Sequence, residues 1–322
     1  MEPEVVETLS NRMNPGIDPH FHIWGWEIPG YLFLGGVVAG IMVLLALMEL
    51  RGSRPRSLSA QLMPFVGVGL LSLGMLFLFL DLEHPLHVLR FYGAFRPTSP
   101  MSWGSWLLLL VYPALILMGL GGLDAARREW LDSKVPAPLR GPVAMGLRWA
   151  DAARKPVLWG TVLLGVGLGI YTGMLLGTLV ARPMWNSSVL GPLFLVSGVS
   201  TGAALMMLTR LESEEAHTLV RWDSAAIAAE LVLIVVLAVG YLSGNEVSNA
   251  AGALIFGGPY TAVFWGLVVV GGLVVPLALN ILEMRRHIAG TRFAPALILI
   301  GGLALRAIFV VAGQTISFSH LG

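Results

Sequence analysis

Polar side chains gather at one edge of the long apolar segments of this 322-residue sequence. Asp81, Glu83, His84 and Arg90 follow one apolar run, and Arg182 follows another. Carboxylates at the end of an apolar segment are costly unless paired, and the two arginines are their natural partners. Acids and histidines can accept the protons that a quinol releases. These residue types indicate quinone chemistry, with Asp81, Glu83 and His84 as candidate catalytic residues.

The same edge also carries the hydrogen-bond donors that quinone carbonyls require. The candidate quinone-binding residues are Tyr31, His22, Trp26, Arg90, Ser102, Trp103, Tyr171 and Arg182. Part of this set is an ordinary aromatic belt, because Trp and Tyr favour membrane interfaces. A polar rim that only docks a partner is the alternative interpretation. An apolar wall with a few convergent polar groups nevertheless suits a quinone ring.

Two charged residues lie inside apolar segments rather than at their ends. Arg306 is near the centre of the last segment, and Glu230 differs from it in depth by about 6 Å at the helical rise. A direct ion pair is the simplest way to bury both charges. The pair is either structural or part of a proton path to the outer cluster. For Glu49 and Glu283, at segment ends, solvated end charges are the favoured interpretation.

The sequence contains no cysteine, which excludes disulfides and thiolate-bound iron–sulfur clusters in this chain. None of the seven histidines lies in the middle of an apolar segment, so a haem held within the bilayer is not expected. His84 and His87 have the spacing of two side chains on one helix face, but they are better interpreted as interfacial polar residues than as metal ligands. We therefore expect no metal site, no haem and no nucleic-acid partner.

The elements that position these residues are membrane-spanning helices. Hydrophobic residues make up 56% of the chain and charged residues 12%, and the mean hydropathy is +0.78. Eight apolar runs are long enough to cross about 30 Å of hydrocarbon as helices. The predicted spans are 28–50, 60–82, 103–123, 156–180, 189–211, 223–244, 261–283 and 294–316. The predicted fold class is an all-α polytopic membrane protein.

Basic residues predict the orientation of the spans. The connections after spans one, three, five and seven hold most of the Lys and Arg residues, and we call this the basic side. The opposite, outer side has only Arg12, Arg90, Arg96 and Arg182. By the positive-inside rule the basic side is cytoplasmic. Both termini are then expected outside, which is the periplasm if the protein lies in a bacterial inner membrane.

The long connection at 124–155 separates three spans from five, but a short match between spans one and five favours a division into two four-helix bundles. Residues 1–27 form a periplasmic N-terminal segment, 28–180 the first bundle with a cytoplasmic loop at 124–155, and 181–322 the second. Spans one and five share a Leu-Phe-Leu run followed by small residues, which suggests a parallel repeat. The glycines of spans one and four are interpreted as helix-packing residues; they are Gly35, Gly36, Gly40, Gly165, Gly167, Gly169, Gly173 and Gly177.

Three stretches carry a resemblance to a known family. They are Asp81-Leu-Glu-His-Pro-Leu-His-Val-Leu-Arg-Phe-Tyr92, Arg96-Pro-Thr-Ser-Pro-Met-Ser-Trp-Gly-Ser-Trp106 and Tyr31-Leu-Phe-Leu-Gly-Gly-Val-Val-Ala-Gly40. Span four, with Tyr171-Thr-Gly173 followed by Arg182-Pro-Met-Trp-Asn186, is also similar. These segments resemble the NrfD/polysulfide-reductase membrane-subunit family. The resemblance covers spans one to four well and the remaining spans mainly by topology.

The resemblance implies a quinone-interacting subunit without haem, with its site toward the outer face. It implies menaquinone or ubiquinone as the redox ligand and a ferredoxin-like iron–sulfur subunit as a partner. A molybdopterin subunit, a hydrogenase or a multihaem cytochrome commonly completes such complexes. It also places Tyr31, Ser102, Trp103 and Tyr171 around the quinone.

The function we predict is electron exchange between the membrane quinone pool and a docked iron–sulfur or haem partner. A secondary transporter is the alternative, and it predicts a central cavity and unwound helices near Glu230 and Arg306. A purely structural membrane anchor is the third hypothesis. The three differ in where, and whether, a small molecule binds.

Overall fold

The computed structural model describes residues 24–53, 56–82, 93, 96–179, 182–286 and 292–315. Within these ranges the chain forms helices, turns and short connections, and no strand. Eight of the helices described there are long and apolar enough to cross a membrane. The predicted all-α, multi-pass fold class is therefore confirmed.

The helices are, in chain order, α1 (Glu27–Leu50), α2 (Leu58–Leu80), α3 (Pro100–Gly122), α4 (Ala125–Lys134), α5 (Ala137–Ala152), α6 (Arg154–Gly177), α7 (Leu190–Met207), α8 (Ser213–Leu242), α9 (Glu246–Phe256), α10 (Thr261–Val263), a π-helix (Phe264–Val274), α11 (Val275–Arg286) and α12 (Phe293–Thr315). The short helices α4, α5 and α9 connect spans. The seventh span, Thr261–Arg285, combines α10, the π-helix and α11.

The sixth span begins earlier than its hydropathy predicts. Helix α8 starts at Ser213, because Glu212 and Glu215 form a reciprocal capping box at its N-terminus. Glu215 also accepts the backbone N–H groups of Arg56 and Ser57, at 2.7 and 3.1 Å. The polar start of α8 is thereby fixed to the connection between α1 and α2. Asp223, at the predicted edge of the span, lies well inside the helix.

The charged connection at 124–155 is helical rather than a simple loop. Asp124 caps α4 by accepting the N–H of Arg127 at 2.9 Å, and Pro136 stands between α4 and α5. Arg128 on α4 donates two hydrogen bonds to Asp151 on α5, at 2.7 and 2.8 Å. The two helices therefore form a hairpin joined by a bidentate ion pair.

Helix α1 is the most enclosed span, with α2, α6, α7 and α12 packed around it. Spans one to four also contact one another in sequence, and so do spans five to eight. The division into two four-helix bundles at 180/181, like the side on which the termini lie, stays a prediction. The outer end of α1 packs against the outer ends of α2 and α6.

Glycines allow α1 and α7 to cross closely. A Cβ added to Gly40 would lie 2.1 Å from the carbonyl oxygen of Gly198, and one added to Gly202 would lie 2.8 Å from Gly40. Small residues permit such backbone approach between helices in lipid. The interpretation of Gly40 as a packing residue is confirmed. The crossing also brings Phe33 and Phe194, which match in the two Leu-Phe-Leu runs, to the same buried arginine.

Candidate functional site

Seven of the predicted outer-edge residues lie within the described ranges. These are Trp26, Tyr31, Asp81, Ser102, Trp103, Tyr171 and Arg182. His22, Glu83, His84 and Arg90 lie outside the described residues, so their predicted roles stay predictions. The seven come from the outer ends of α1, α2, α3 and α6 and from the connection that follows α6.

The two tyrosines sit just inside the outer ends of their helices. Tyr31 is four residues into α1 and Tyr171 is six residues before the end of α6, which places them about 6 and 9 Å from the helix ends. Tyr31 is 2% exposed, and its ring faces Gly74 of α2. The described contacts thus place one phenol at the α1–α2 interface and the other near α3.

Tyr171 lies against the backbone of α3 at Gly104. A Cβ on Gly104 would stand 1.9 Å from both the Cζ and the hydroxyl oxygen of Tyr171, so this close approach requires glycine. The phenol is partly buried, and within the described part of the chain its hydroxyl has no hydrogen-bond partner. A polar group in that situation is available to a ligand.

Ser102 and Trp103 hold the turn that leads into α3. The hydroxyl oxygen of Ser102 accepts the N–H of Arg96 at 3.1 Å, and Trp103 Nε1 donates to the carbonyl oxygen of Pro97 at 2.6 Å. Ser102 is buried, whereas Trp103 is 59% exposed. Both polar groups have structural partners in this turn. Their geometry fixes the start of α3 opposite Tyr171.

Asp81 ends α2 at the outer edge, close to the start of α1. Its pKa is raised above its ordinary value, first by partial burial and then by the negative charge of Glu27. Trp26 packs edge-on against Phe77 with 5.1 Å between ring centroids, and 63% of its surface is exposed. A carboxyl group with a raised pKa, beside exposed aromatic rings, can hold and release a proton at the membrane edge.

Arg182 joins the outer ends of α6 and α12. Its guanidinium donates to the carbonyl oxygen of Gln314 at 2.8 Å. The Gln314 side chain in turn accepts the backbone N–H of Trp24 at 3.0 Å and donates to the Trp24 carbonyl oxygen at 3.1 Å. Trp24 stacks on Trp185, whose Nε1 donates to the carbonyl oxygen of Phe309 at 2.7 Å. Gln314 was not predicted, because a neutral amide near a span end gives no distinctive sequence signal.

Arg306 is fully buried between α1, α7 and α12. Its guanidinium donates to Gly302 O at 2.7 Å, to Ser197 Oγ at 3.1 Å and to Phe194 O at 3.2 Å. The Phe33 and Phe194 rings lie 5.9 and 5.3 Å from its Cζ atom. Its Nε atom is buried without a hydrogen-bond partner in the described part of the protein.

Ser197 stands between Arg306 and Glu230. Glu230 is 2% exposed and lies close to the Ser197 side chain, whose hydroxyl accepts from Arg306. Among the described contacts no ion pair within 4 Å joins Glu230 and Arg306, so the expected direct ion pair is not formed.

A second buried acid extends this group of polar residues toward the basic side. Asp223 is 0% exposed, and its two carboxylate oxygens accept from Ser200 Oγ and Asn280 Nδ2, each at 2.7 Å. Asp223 and Glu230 are seven residues apart on α8, which places them on one face. The sequence analysis missed Asp223, although this spacing from Glu230 was the signal that could have found it.

A narrow crevice lies beside these residues and is lined by Ser197, Ser200, Glu230 and the π-helix residues Val268 and Gly272, among others. It is too narrow to hold a water molecule. Helices α8 and α12 are continuous at Glu230 and Arg306. This geometry differs from the unwound helices and central cavity that the transporter alternative predicts.

Glu49 is not the solvated end charge that its position suggested. Its side chain is 7% exposed, and Arg154 Nε donates to Glu49 Oε1 at 2.7 Å, with a second contact from Arg154 Nη2 to Oε2. Arg154 also donates to the carbonyl oxygens of Leu117 and Met118, at 3.4 and 2.9 Å. The pair ties the basic-side end of α1 to α3 and α6.

Comparisons with known proteins cover nearly the whole chain. A family model described as "Polysulphide reductase, NrfD" matches residues 12–317. A polysulfide reductase chain from Wolinella succinogenes is 30% identical over 307 residues, covering 91% of this chain and 95% of that protein. "Protein NrfD" of Escherichia coli is 31% identical over 316 residues, covering 92% and 96%. A "Putative dimethyl sulfoxide reductase membrane subunit" of Halobacterium salinarum is 25% identical, covering 89% and 68%.

Proposed function

Because the chain belongs to the polysulphide reductase NrfD family, we propose that it is the quinone-binding membrane subunit of a reductase complex. It exchanges electrons between the membrane quinone pool and an iron–sulfur or haem partner at the outer face. One relative is a polysulfide reductase chain, and another is described as the membrane subunit of a reductase. The comparisons support the family and the membrane-protein class. The quinone assignment rests on the outer-edge geometry.

The observation that carries the proposal is the hydroxyl of Tyr171 at the outer end of α6, which has no partner among the described residues. A quinone carbonyl needs a donor at a depth that the lipid-dissolved ring can reach, and a phenol just inside the helix end provides one. Tyr31 supplies a second phenol at a similar depth. Two phenols at similar depth, with a carboxyl group at the same edge of the membrane, are a donor and acceptor set that fits a quinone or quinol.

A bound quinone would supply the coupled electron and proton chemistry. The chain's own residues would bind and orient the ring and move the proton. Tyr171 would donate to a ring oxygen, with Gly104 behind it to fix the phenol. Asp81 would accept or return the proton, since its raised pKa lets the carboxyl hold a proton at higher pH than an ordinary Asp. Glu83 and His84, which follow directly in sequence, would extend this proton relay.

The electrons must leave the membrane through a partner subunit. The chain has no cysteine with which to hold an iron–sulfur cluster. Trp26 and Trp103 expose large aromatic surfaces at the outer edge, and such surfaces suit a protein interface. A ferredoxin-like iron–sulfur subunit, or a haem protein, would dock there close to the quinone.

The buried polar residues of the second half would form the proton path of the complex. Asp223 with Ser200, and Glu230 with Ser197 and Arg306, give two linked groups from the basic side toward the outer side. Because the adjoining crevice is too narrow for a water molecule, this path requires the helices to move apart there. The buried Nε of Arg306, which lacks a partner within the described ranges, would then donate to the water that enters. Arg306 also lies against Gly36 of α1, five residues from Tyr31.

Titration of the purified complex with a quinone analogue tests this proposal. Tyr171→Phe should weaken analogue binding about fivefold, the equivalent of one hydrogen bond. Asp81→Asn should lower quinol turnover by roughly 10²-fold, at the lower end for loss of a general base. Tyr112→Phe is the matched control, because the Tyr112 hydroxyl contacts Ser72 at 3.2 Å in the middle of α3. Absence of analogue binding, with normal turnover in both variants, would favour the structural anchor instead.

A further inference from the structure

A cavity of about 420 Å³ opens on the basic side of the protein, between the end of α1 and the first turns of α8. It is lined by Met48, Arg51, Ser53, Thr218, Arg221 and Trp222. Its volume lies within the range of about 300–1,000 Å³ that is usual for small-molecule sites. None of these residues belongs to the quinone site or to the buried polar group around Glu230.

Two guanidinium groups face this cavity. Neither Arg51 nor Arg221 has an acidic oxygen within 4 Å in the part of the chain that the structure describes. The Arg51 guanidinium stacks over the Trp222 ring at 4.9 Å, so its position is fixed while its N–H groups remain available. Two neighbouring cations repel unless an anion lies between them.

The acids nearest in sequence already have other partners or face away. Glu49 is bound to Arg154, and Glu215 accepts the N–H groups that precede α2. Glu214 is exposed one turn before Thr218 and does not line the cavity. The cavity therefore has a net positive charge, two hydroxyl groups and an apolar floor.

The turn after α1 shapes the cavity. Gly52 adopts a φ of 92°, which favours glycine, and its N–H donates to Glu49 O at 2.9 Å. The N–H of Ser53 then donates to Met48 O at 3.1 Å. This tight C-cap places Ser53 at the rim beside Arg51. Met48, 1% exposed, forms the apolar floor together with the indole of Trp222.

We infer that this cavity binds the phosphate group of an anionic phospholipid headgroup from the leaflet on the basic side. Arginine binds phosphate oxygens through two parallel hydrogen bonds, and hydroxyl groups add further donors. Basic pockets between spanning helices are suited to acidic headgroups. The Trp222 ring and Met48 provide the half-apolar surface that a glycerol backbone contacts. The lipid would connect α1, the most enclosed span, with α8, which carries Asp223 and Glu230.

Lipid retention in the purified full-length complex tests the inference. The complex is reconstituted in nanodiscs of phosphatidylcholine with a minor fraction of phosphatidylglycerol, and retained lipid is counted by native mass spectrometry. The double variant Arg51→Gln/Arg221→Gln should bind phosphatidylglycerol about twenty-fivefold more weakly, at roughly fivefold for each arginine. The variant Arg51→Lys/Arg221→Lys should bind more tightly than the Gln variant, since the charge remains, but more weakly than the unsubstituted chain, since Lys cannot form the two parallel hydrogen bonds.

The matched control is Arg148→Gln/Arg285→Gln, which removes the same charge from exposed positions outside the cavity. It should retain phosphatidylglycerol as the unsubstituted chain does. Equal retention in the cavity variant and the control would overturn the inference, and so would a Lys variant that binds no better than the Gln variant. Binding of inorganic phosphate with the same arginine dependence, without lipid retention, would assign the site to a soluble phosphate and overturn the lipid assignment.

Discussion

The contact between Gly104 and Tyr171 allows a sharp test, because a single methyl group should displace the proposed quinone donor. In Gly104→Ala the new Cβ would stand 1.9 Å from the phenol, whereas ordinary van der Waals contact begins at 3.4 Å. The ring must therefore move by roughly 1.5 Å. Overpacking of this kind costs about 1–3 kcal/mol of stability.

The displacement should reduce function far more than stability. A misplacement of about 1 Å in a reacting arrangement can lower a rate roughly 10²-fold, so we expect quinol turnover of Gly104→Ala to fall by about that factor. Turnover is measured with the intact complex, after assembly is checked by size-exclusion chromatography. The matched control is Gly160→Ala on α6, where an added Cβ meets nothing within 4 Å.

A double-mutant cycle separates the Tyr171 hydroxyl from general disruption of α3. If Gly104→Ala acts by moving that hydroxyl, it should cost little additional turnover in a Tyr171→Phe background. Fully additive losses would contradict the reasoning. Turnover of Gly104→Ala equal to that of the Gly160→Ala control, with the complex intact, would refute the proposed role of Tyr171 altogether.

Four further predictions concern other charged and polar groups. The negative charge of Glu27 contributes to the raised pKa of Asp81, so Glu27→Gln should move the corresponding limb of the pH–turnover profile to lower pH. A raised pKa means that the ionised carboxylate of Asp81 destabilises the fold once the pH exceeds that pKa. At neutral pH Asp81→Asn should therefore slightly stabilise the fold, and thermal melts at several pH values check the sign. Glu49→Gln should destabilise by about 3–5 kcal/mol, since it strands a buried arginine, whereas Glu214→Gln at an exposed site should not. Ser197→Ala removes the hydroxyl that accepts from Arg306 beside Glu230 and should impair charge separation during turnover. Ser197→Thr keeps a hydroxyl and should preserve it; equal coupling in both variants would contradict a role for this hydroxyl.

Hydropathy and charge were sufficient to predict the eight spans, because a helix in lipid must be long and apolar and the connections carry the charges. The start of α8 was misplaced, since the capping box of Glu212 and Glu215 extends the helix through polar residues that hydropathy scores as a loop. Asp223 was missed for the same reason. Its depth is set by where the helix begins, not by the local composition.

Contacts between helices were harder to predict than the helices themselves. The sequence shows that Glu230 and Arg306 differ by a small step in depth, but the rotation of α7 decides that Ser197 stands between them. The approach of Tyr171 to Gly104 likewise depends on how α3 and α6 pack, which one sequence does not reveal. Residue types at the outer edge favoured quinone chemistry, whereas the open hydroxyl of Tyr171 emerges only from the packing of the described helices.

Photoaffinity labelling with an azido-quinone most directly tests the central claim that quinone binds at the outer ends of α1, α3 and α6. The purified complex is illuminated with the probe, and labelled peptides are mapped by mass spectrometry. Labelling should appear around Tyr31, Ser102 and Tyr171, and an excess of unmodified quinone should prevent it by competition. Label concentrated around Glu230 and Arg306, or label that excess quinone does not remove, would contradict the account.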